Sequence, residues 1–439
     1  VIRIGAKKPC DYYDLSRRNS VQFGGPSAGD AWSRSMSALR QNAYLVLEDG
    51  SVYPGKRLGA AEITTGEVVF NTSMTGYQEM LTDPSYGGQI LVPTYPMIGN
   101  YGTNVADVES TCIQVNGFVV REACGEPSHP LSTGTIHEYL ENNGTSGISE
   151  VDTRAITRKL RSTGVMMGII TPNADRQEAL RLLGEVPRYG ELDVVRNVST
   201  SKTYAWEGDA GERSRAFFDL RGRARQGGMG NDVEPGIGQR DLGDNYMKVV
   251  VNDYGVKLNI LRSLRARGCE VIVVPDDAGA IEILSHKPDG VMLSPGPGDP
   301  ELLDRSVSAA KELVGKVPIM GICLGHQVIA RAFGASTFKL HFGHRGGNQP
   351  VKDIETGRVY VTAQNHGYAV DPSGLPSKLE VSHINLNDQT VEGLRHRDMP
   401  IMTIQYHSEA SPGPHDSEYL FDRFVTLIQS GMAEKIRSL

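Results

Sequence analysis

The residues best suited to covalent chemistry lie in Gly321-Ile322-Cys323-Leu324-Gly325-His326-Gln327. Gly-x-Cys-x-Gly describes a nucleophile elbow with sulfur in place of a serine oxygen. Glycines on either side of Cys323 allow a tight turn where a β-carbon would clash. A thiol at the start of a helix feels the positive end of its dipole, which favours the thiolate. The first helical N–H, on Leu324, points to where an oxyanion would form. The same five residues also fit an inert buried cysteine at a strand end, so partners have to be found. A cysteine nucleophile needs a base, and the base needs a group to orient it. Of the eleven histidines, His407 closes the apolar run Ile401-Met402-Thr403-Ile404-Gln405-Tyr406, and Glu409 follows two residues on. In extended chain, i and i+2 project to one face, so that carboxylate is able to hold the imidazole. The order Cys, His, Glu separates the chain from α/β-hydrolases, whose acid precedes the histidine. His326 suits a structural or substrate-edge role better than that of base. His344 and His366 are expected in polar loops, where binding residues tend to sit, and rank second. His415 reads as a turn residue.

The elements around the elbow tell where it sits. Val317-Pro318-Ile319-Met320 reads as a buried strand, and residues 328–333 as an amphipathic segment stopped by Gly334. Upstream, strands at 248–251, 270–274 and 290–293 alternate with helices at 256–267, 281–286 and 301–314. Apolar strands without polar alternation, separated by helices, predict a parallel sheet covered on both faces. Sites in such sheets lie beyond the carboxyl ends of the strands. The elbow and Ser294-Pro295-Gly296-Pro297-Gly298-Asp299-Pro300 both occupy such ends, on one rim.

A chain of 439 residues exceeds the ~250–300 at which one core stops growing. We read residues 1–42 as a polar N-terminal extension and 43–200 as a mixed α and β domain. Residues 201–245, rich in Gly, Arg and Asp, read as a linker, and 246–439 as the domain that carries the elbow. In the first domain strands are expected at 43–47, 67–70, 89–92 and 117–120, with helices at 135–142 and 152–162, the latter capped by Asp152. Asn71-Thr72-Ser73-Met74-Thr75-Gly76-Tyr77-Gln78-Glu79 is polar and gives no element. A formal charge of −7 argues against a nucleic-acid surface, and no apolar run reaches a membrane span. Five scattered cysteines without a CxxC pair suit a reduced cytosolic protein and speak against a disulfide framework or structural zinc. Cys10, Cys112, Cys124 and Cys269 are expected to be inert. Neither a GxxxxGK[ST] loop nor a helix-opening GxGxxG is present, so an ATP-driven step would occur on another polypeptide.

Three segments, Pro295 to Pro300, Gly321 to Gln327 and His407-Ser408-Glu409, resemble the signatures of class I (triad) glutamine amidotransferases. Residues 70–79, 342–351, 364–367 and 409–416 narrow this to a resemblance to the small, glutamine-hydrolysing chains of carbamoyl phosphate synthases. It runs from about residue 43 to the C-terminal region. The resemblance implies an α/β fold, a mixed N-terminal domain followed by a doubly wound parallel-sheet amidotransferase domain. It implies Cys323 as nucleophile, His407 as acid and base, Glu409 as orienting group, and an oxyanion held by the N–H groups of Leu324 and Gly296. It implies glutamine contacts from Ser73, Gly296, Gly298, Leu324, Gln327, Asn365, Gly367 and Tyr368, with Ser73 arriving from the first domain and Lys257 near the pocket. It also implies a cytoplasmic heterodimer with a large chain, which receives ammonia and uses bicarbonate and two ATP with Mg to make carbamoyl phosphate for arginine and pyrimidine synthesis. No cofactor, metal, nucleic acid or membrane is expected in this chain. Ser408 stands where the family often has proline, and Tyr368 where it often has phenylalanine. Three other readings stay open: a glutaminase subunit of another synthase, a glutaminase-like interaction subunit without activity, and an independent cysteine hydrolase.

Overall fold

The computed structural model describes residues 2–3, 41–208 and 246–437. The rest of the segment read as an extension, and residues 209–245 of the linker reading, lie outside the described residues. The first unit contains strands Ile2–Arg3 (β1), Asn42–Leu47 (β2), Val52–Gly59 (β3), Ile63–Asn71 (β4), Gln89–Pro93 (β5), Met97–Ile98 (β6), Gly117–Val119 (β7), Glu122–Ala123 (β8), Ser146–Ser149 (β9) and Met166–Thr171 (β10). Its helices are Tyr77–Thr82 (α1), Ile136–Asn142 (α2), Thr153–Thr163 (α3), Arg176–Gly184 (α4) and Val195–Val198 (α5). The main sheet runs β1-β4-β10-β2-β3-β9-β7-β5, and β5 pairs again with β4, so it closes on itself and leaves few bare edges. Alternate residues along β4 and β5 enter different cores. Val68, Phe70, Ile90 and Val92 pack with Ile156 and Leu160 of α3. Val69 and Leu91 pack with Met80 and Leu81 of α1. Two cores thus follow from the period-2 alternation of a strand. Asp152 caps α3 as its position in the sequence suggests, accepting from the Ala155 N–H at 3.0 Å.

The second unit adds strands Tyr204–Ala205 (β11), Met247–Asn252 (β12), Cys269–Val274 (β13), Gly290–Leu293 (β14), Ile319–Ile322 (β15), Thr337–Asp353 (β16), Val359–Val370 (β17), Leu379–Asn385 (β18), Val391–His396 (β19) and Ile401–Ile404 (β20). Helices Leu258–Ala266 (α6), Ala280–Ser285 (α7), Asp304–Leu313 (α8), Leu324–Ala332 (α9) and Tyr419–Arg437 (α10) surround them. The ten-stranded sheet has the order β11-β13-β12-β14-β15-β20-β19-β18-β16-β17. Its centre, β13-β12-β14-β15-β20, is parallel. One face is buried by α6 and α10 through Leu261, Leu264, Phe421 and Phe424. The other is buried by α8 and α9 through Val307, Leu313, Val328 and Ile329. This is the expected doubly wound arrangement.

Three features depart from expectation. After α9 the chain builds the antiparallel strands β16 to β19, which extend the parallel centre on one side. His344 and His366 therefore do not lie in loops: they face each other across β16 and β17, and both are buried. Their strands are glycine-rich and polar because they border a site, so they lack the apolar alternation that marks a strand. Other elements of the first unit also went unread: β3, β9, β10 and α4, the short β1, β6, β8 and α5, and α1, whose apolar residues are interrupted by Gln78 and Glu79. Cys112 is disulfide-bonded, against the expectation of a reduced, inert thiol. Pairing depends on distance in the fold, which cysteine spacing alone does not give. Cys124, Cys269 and Cys323 are free. Among the described residues no helix is long and apolar enough to cross a membrane.

The elbow depends on close contact between β14 and α9. A β-carbon on Gly325 would lie 2.1 Å from the Leu293 carbonyl oxygen. Gly325→Ala should therefore push the elements apart and lower stability by ~1–3 kcal/mol, the usual range for overpacking. A fall in the thermal midpoint measured by circular dichroism checks this.

Candidate active site

Cys323 sits between the end of β15 and the start of α9 with φ 54° and ψ −105°. A positive φ costs a residue with a β-carbon, and such strain persists only where surrounding bonds over-determine it. Here the Cys323 N–H donates to the Ile404 carbonyl at 2.8 Å, and its own carbonyl accepts from the Gln327 N–H at 3.2 Å. The sulfur is thereby held at the helix N-terminus, near the dipole's positive end. Leu324 opens the helix, so its N–H has no acceptor within it. Gly296 approaches from the loop after β14, where a β-carbon would sit 2.2 Å from the Tyr254 carbonyl oxygen and only glycine fits. Among the described residues neither the Leu324 nor the Gly296 N–H is spent on a protein acceptor. Two free donors beside a thiol are the parts of an oxyanion hole.

His407 follows β20 on the strand next to β15, and its N–H donates to the Ala363 carbonyl of β17 at 2.8 Å. The Nδ1 of its ring lies 2.6 Å from Glu409 Oε1. Burial opposes charge on this ring, but Glu409 and the Cys323 sulfur hold its pKa up to about 10. Glu409 is fully buried, which alone would favour the neutral acid, yet Lys257 and His407 pull its pKa down to about 2. Lys257 Nζ lies 3.1 Å from Glu409 Oε1 and also donates to the Ala410 carbonyl. Burial disfavours charge on Lys257 too; Glu409, Asp83 and Glu109 together still raise its pKa. The result is a buried imidazolium facing the sulfur, backed by a carboxylate and then an ammonium.

Two clefts meet at these groups. One is lined by Cys323, Gly296, Gly298, Gln327, Asn365, Gly367 and Tyr368, all named from the sequence. The neighbouring cleft is lined by Ser73, Lys257, Asn365 and His407. Ser73 thus faces the histidine side, while Leu324 is packed beneath the first cleft with only its main chain suited to a role there. The Gln327 amide donates to the Tyr368 carbonyl at 2.8 Å and to Gln405 Oε1 at 2.9 Å. Burial, with the Asp299 carboxylate nearby, pushes the pKa of the Tyr368 hydroxyl up.

Several contributors escaped the sequence reading. Gln405 Nε2 donates to Cys323 Sγ at 3.6 Å. The first unit supplies Glu67 and Tyr189 to the main cleft, and the Tyr189 hydroxyl accepts from the Gly298 N–H at 3.0 Å. Asp83 holds the Asn365 amide at 3.0 Å, and Arg345 lines the cleft with its Nε buried. For Gln405 a signal existed, since it lies two residues before His407 and shares its face. The others had none, because their partners are far off in sequence.

His326, His344 and His366 play structural parts here. His326 Nδ1 pairs with the Thr403 hydroxyl at 2.8 Å, and burial pushes its pKa down to about 3. Donor atoms of His344, His366 and Glu392 lie within 4.8 Å of one another, a spacing that would suit a metal. Hydrogen bonds engage part of the group. His366 has both ring nitrogens engaged, with the Tyr368 carbonyl at 2.8 Å and Gln364 Oε1 at 3.0 Å. Burial opposes charge on His344, but Asp388 at 2.7 Å and Glu392 at 3.5 Å hold its pKa up to about 9.

Comparison with known proteins places these features in a family context. Residues 249–427 match the family model "Glutamine amidotransferase class-I". Residues 45–170 match "Carbamoyl-phosphate synthase small chain, CPSase domain". The chain is 48% identical to the carbamoyl phosphate synthase small chain of Rhodopirellula baltica over 89% of this chain and 97% of that one. It is 48% identical to that of Staphylococcus epidermidis, covering 91% of this chain and all of the relative. Against that of Aquifex aeolicus identity is 47%, over 89% of this chain and the whole relative.

The charge on His407 is testable. Its folded pKa lies above the ordinary 6.5, so its contribution to stability is whole below about pH 6.5 and disappears as pH rises to about 10. Urea unfolding of wild type and His407→Asn should show a stability gap at pH 6 that narrows by pH 10. In Glu409→Gln the histidine should titrate at a lower pH by NMR; an unchanged midpoint would contradict the assigned role of the carboxylate.

Proposed function

This chain belongs to the small-chain family of carbamoyl phosphate synthases, and we propose that it hydrolyses glutamine for a large-chain partner. The observation that carries this reading is Cys323 in its strained elbow, facing a histidine charged through the 2.6 Å contact with Glu409. The thiolate of Cys323 attacks the side-chain amide carbon of glutamine, and the carbonyl electrons move onto oxygen. The N–H groups of Leu324 and Gly296 stabilise that oxyanion. The His407 imidazolium gives its proton to the amide nitrogen as the C–N bond breaks, releasing ammonia and leaving a thioester. Neutral His407 then takes a proton from water, the hydroxide attacks the thioester, and glutamate leaves as Cys323 regains its thiolate and His407 its proton. Gly298, Gln327, Asn365, Gly367 and Tyr368 hold the amino-acid end of glutamine in the main cleft, and Ser73 approaches from the histidine side.

The large chain uses the ammonia with bicarbonate and two ATP, so ATP and Mg belong to the partner and this chain needs no cofactor. The complex works in the cytoplasm. An uncoupled glutaminase would waste its substrate, so hydrolysis waits on the state of the partner. Ammonia release from glutamine should accordingly be slow for the chain alone and rise when the large chain, ATP and bicarbonate are added. Cys323→Ser should lower the stimulated kcat by ~10³-fold or more while partner binding persists. A folded, partner-bound wild type that releases no ammonia would overturn the reading.

A further inference from the structure

We propose that Glu109, a residue of the first unit, is a positioning residue for the Glu409 carboxylate, acting through the N-terminus of α6. The proposal rests on the Cys-His-Glu reading above. Glu109 lies on the connection between β8's partner β6 and β7, and its side chain is wholly buried. Helix α6 has no side-chain cap of its own at Lys257. Its orphan N–H groups are satisfied from a distance of 150 residues in sequence. The Asn259 N–H donates to Glu109 Oε2 at 3.0 Å, and the Leu258 N–H to the Glu109 carbonyl at 2.9 Å. A carboxylate at a helix N-terminus meets both the free donors and the dipole. The second oxygen, Oε1, accepts from Arg262 at 3.1 Å one turn further along. On its other side, the Glu109 N–H donates to the Thr82 hydroxyl of α1 at 2.9 Å. Glu109 is therefore clamped to both units.

The turn that it caps is the one that holds the proposed triad acid. Lys257 pairs with the Glu409 carboxylate at 3.1 Å and donates to the Ala410 carbonyl, while the Asn259 amide donates to the Glu409 carbonyl. The side chain and main chain of residue 409 thus hang from the two residues flanking Leu258, and Glu109 holds the N–H groups of Leu258 and Asn259 in that turn. Freeing this turn would let Lys257 and Asn259 drift, lengthening the 2.6 Å contact that orients His407. A displacement of ~1 Å at a catalytic group is enough to cost up to ~10²-fold in rate. A residue that merely glued the two units together would change stability and leave the histidine alone.

Removing Glu109 by itself would take a buried carboxylate from beside the Arg262 guanidinium, so the test uses the paired neutral variant Glu109→Leu/Arg262→Met and, separately, Glu109→Asp, which keeps the charge and draws the carboxylate back from the Asn259 N–H. Both are made in the full chain, and glutamine hydrolysis is assayed with the large chain, ATP and bicarbonate. We expect kcat to fall ~10-fold or more with KM for glutamine within about threefold, the pattern of lost transition-state positioning. The NMR titration of His407 should move down by about one pH unit, a shift that follows from weaker contact with Glu409. Wild-type kcat and an unmoved His407 titration in a folded variant would overturn the proposal, as would a change confined to the melting temperature. If the paired variant does not fold, Glu109→Asp decides by the same two readouts. Should wild type itself fail to turn over glutamine, the functional reading falls, and the His407 titration still decides the role of Glu109.

Discussion

Everything at the candidate site depends on a row of charges buried side by side: Lys257, Glu409 and His407, ending at the Cys323 sulfur. A lone carboxylate as deep as Glu409 would cost several kcal/mol or take up a proton. Placed between an ammonium and an imidazolium it stays ionised. In a dry interior such alternation is far stronger than at a surface, and it is equally unforgiving when one member is lost. That gives a physical reason why each member is tied by main-chain bonds as well as by its charge. Lys257 and Asn259 hold the carbonyls of Ala410 and Glu409, and the His407 N–H is fixed to Ala363.

The row lies within the second unit, where it meets the first, and the first unit completes its surroundings. The second unit supplies the strained elbow, the histidine and the carboxylate. The first supplies Ser73 and Tyr189 around the clefts, Asp83 to hold Asn365, and Glu109 to cap the helix that carries Lys257. The long β16–β17 hairpin joins them. The Thr72 N–H donates to the Arg345 carbonyl at 3.2 Å, and Lys339 pairs with Glu67 at 2.6 Å. Domain junctions are common places for ligand sites because concave, water-excluding surfaces form there without hollowing either core. They also give a natural lever: a partner that shifts one unit against the other would alter the geometry of the row.

Strain and rigidity are balanced at the nucleophile. The backbone of Cys323 sits where non-glycine residues pay ~1–3 kcal/mol. The parallel strand β20 repays this through the bond from Cys323 to Ile404, and the elbow is locked below by the Gly325 N–H donating to the Ser294 carbonyl at 3.1 Å. Because those bonds run between the central strands of the sheet, the sulfur inherits the rigidity of the core.

Local pattern carried the second unit a long way. Apolar strands and amphipathic helices up to Gly334 were legible because a parallel sheet buries both faces of its strands, and the elbow because its glycines and cysteine are consecutive. His407 and Glu409 were legible for the same reason: a two-residue spacing on an extended chain is itself a geometry. The sequence by itself thus determined the doubly wound layout and the grouping of Cys323 with His407 and Glu409. Tertiary structure alone decided the rest. It placed His344 and His366 on paired strands rather than in loops, linked Cys112 into a disulfide, closed the first sheet on itself and brought Lys257 against Glu409 and Glu109 against α6. Those contacts join residues some 150 positions apart. Burial and pairing of that kind depend on how separate elements pack in space, and no local spacing encodes it.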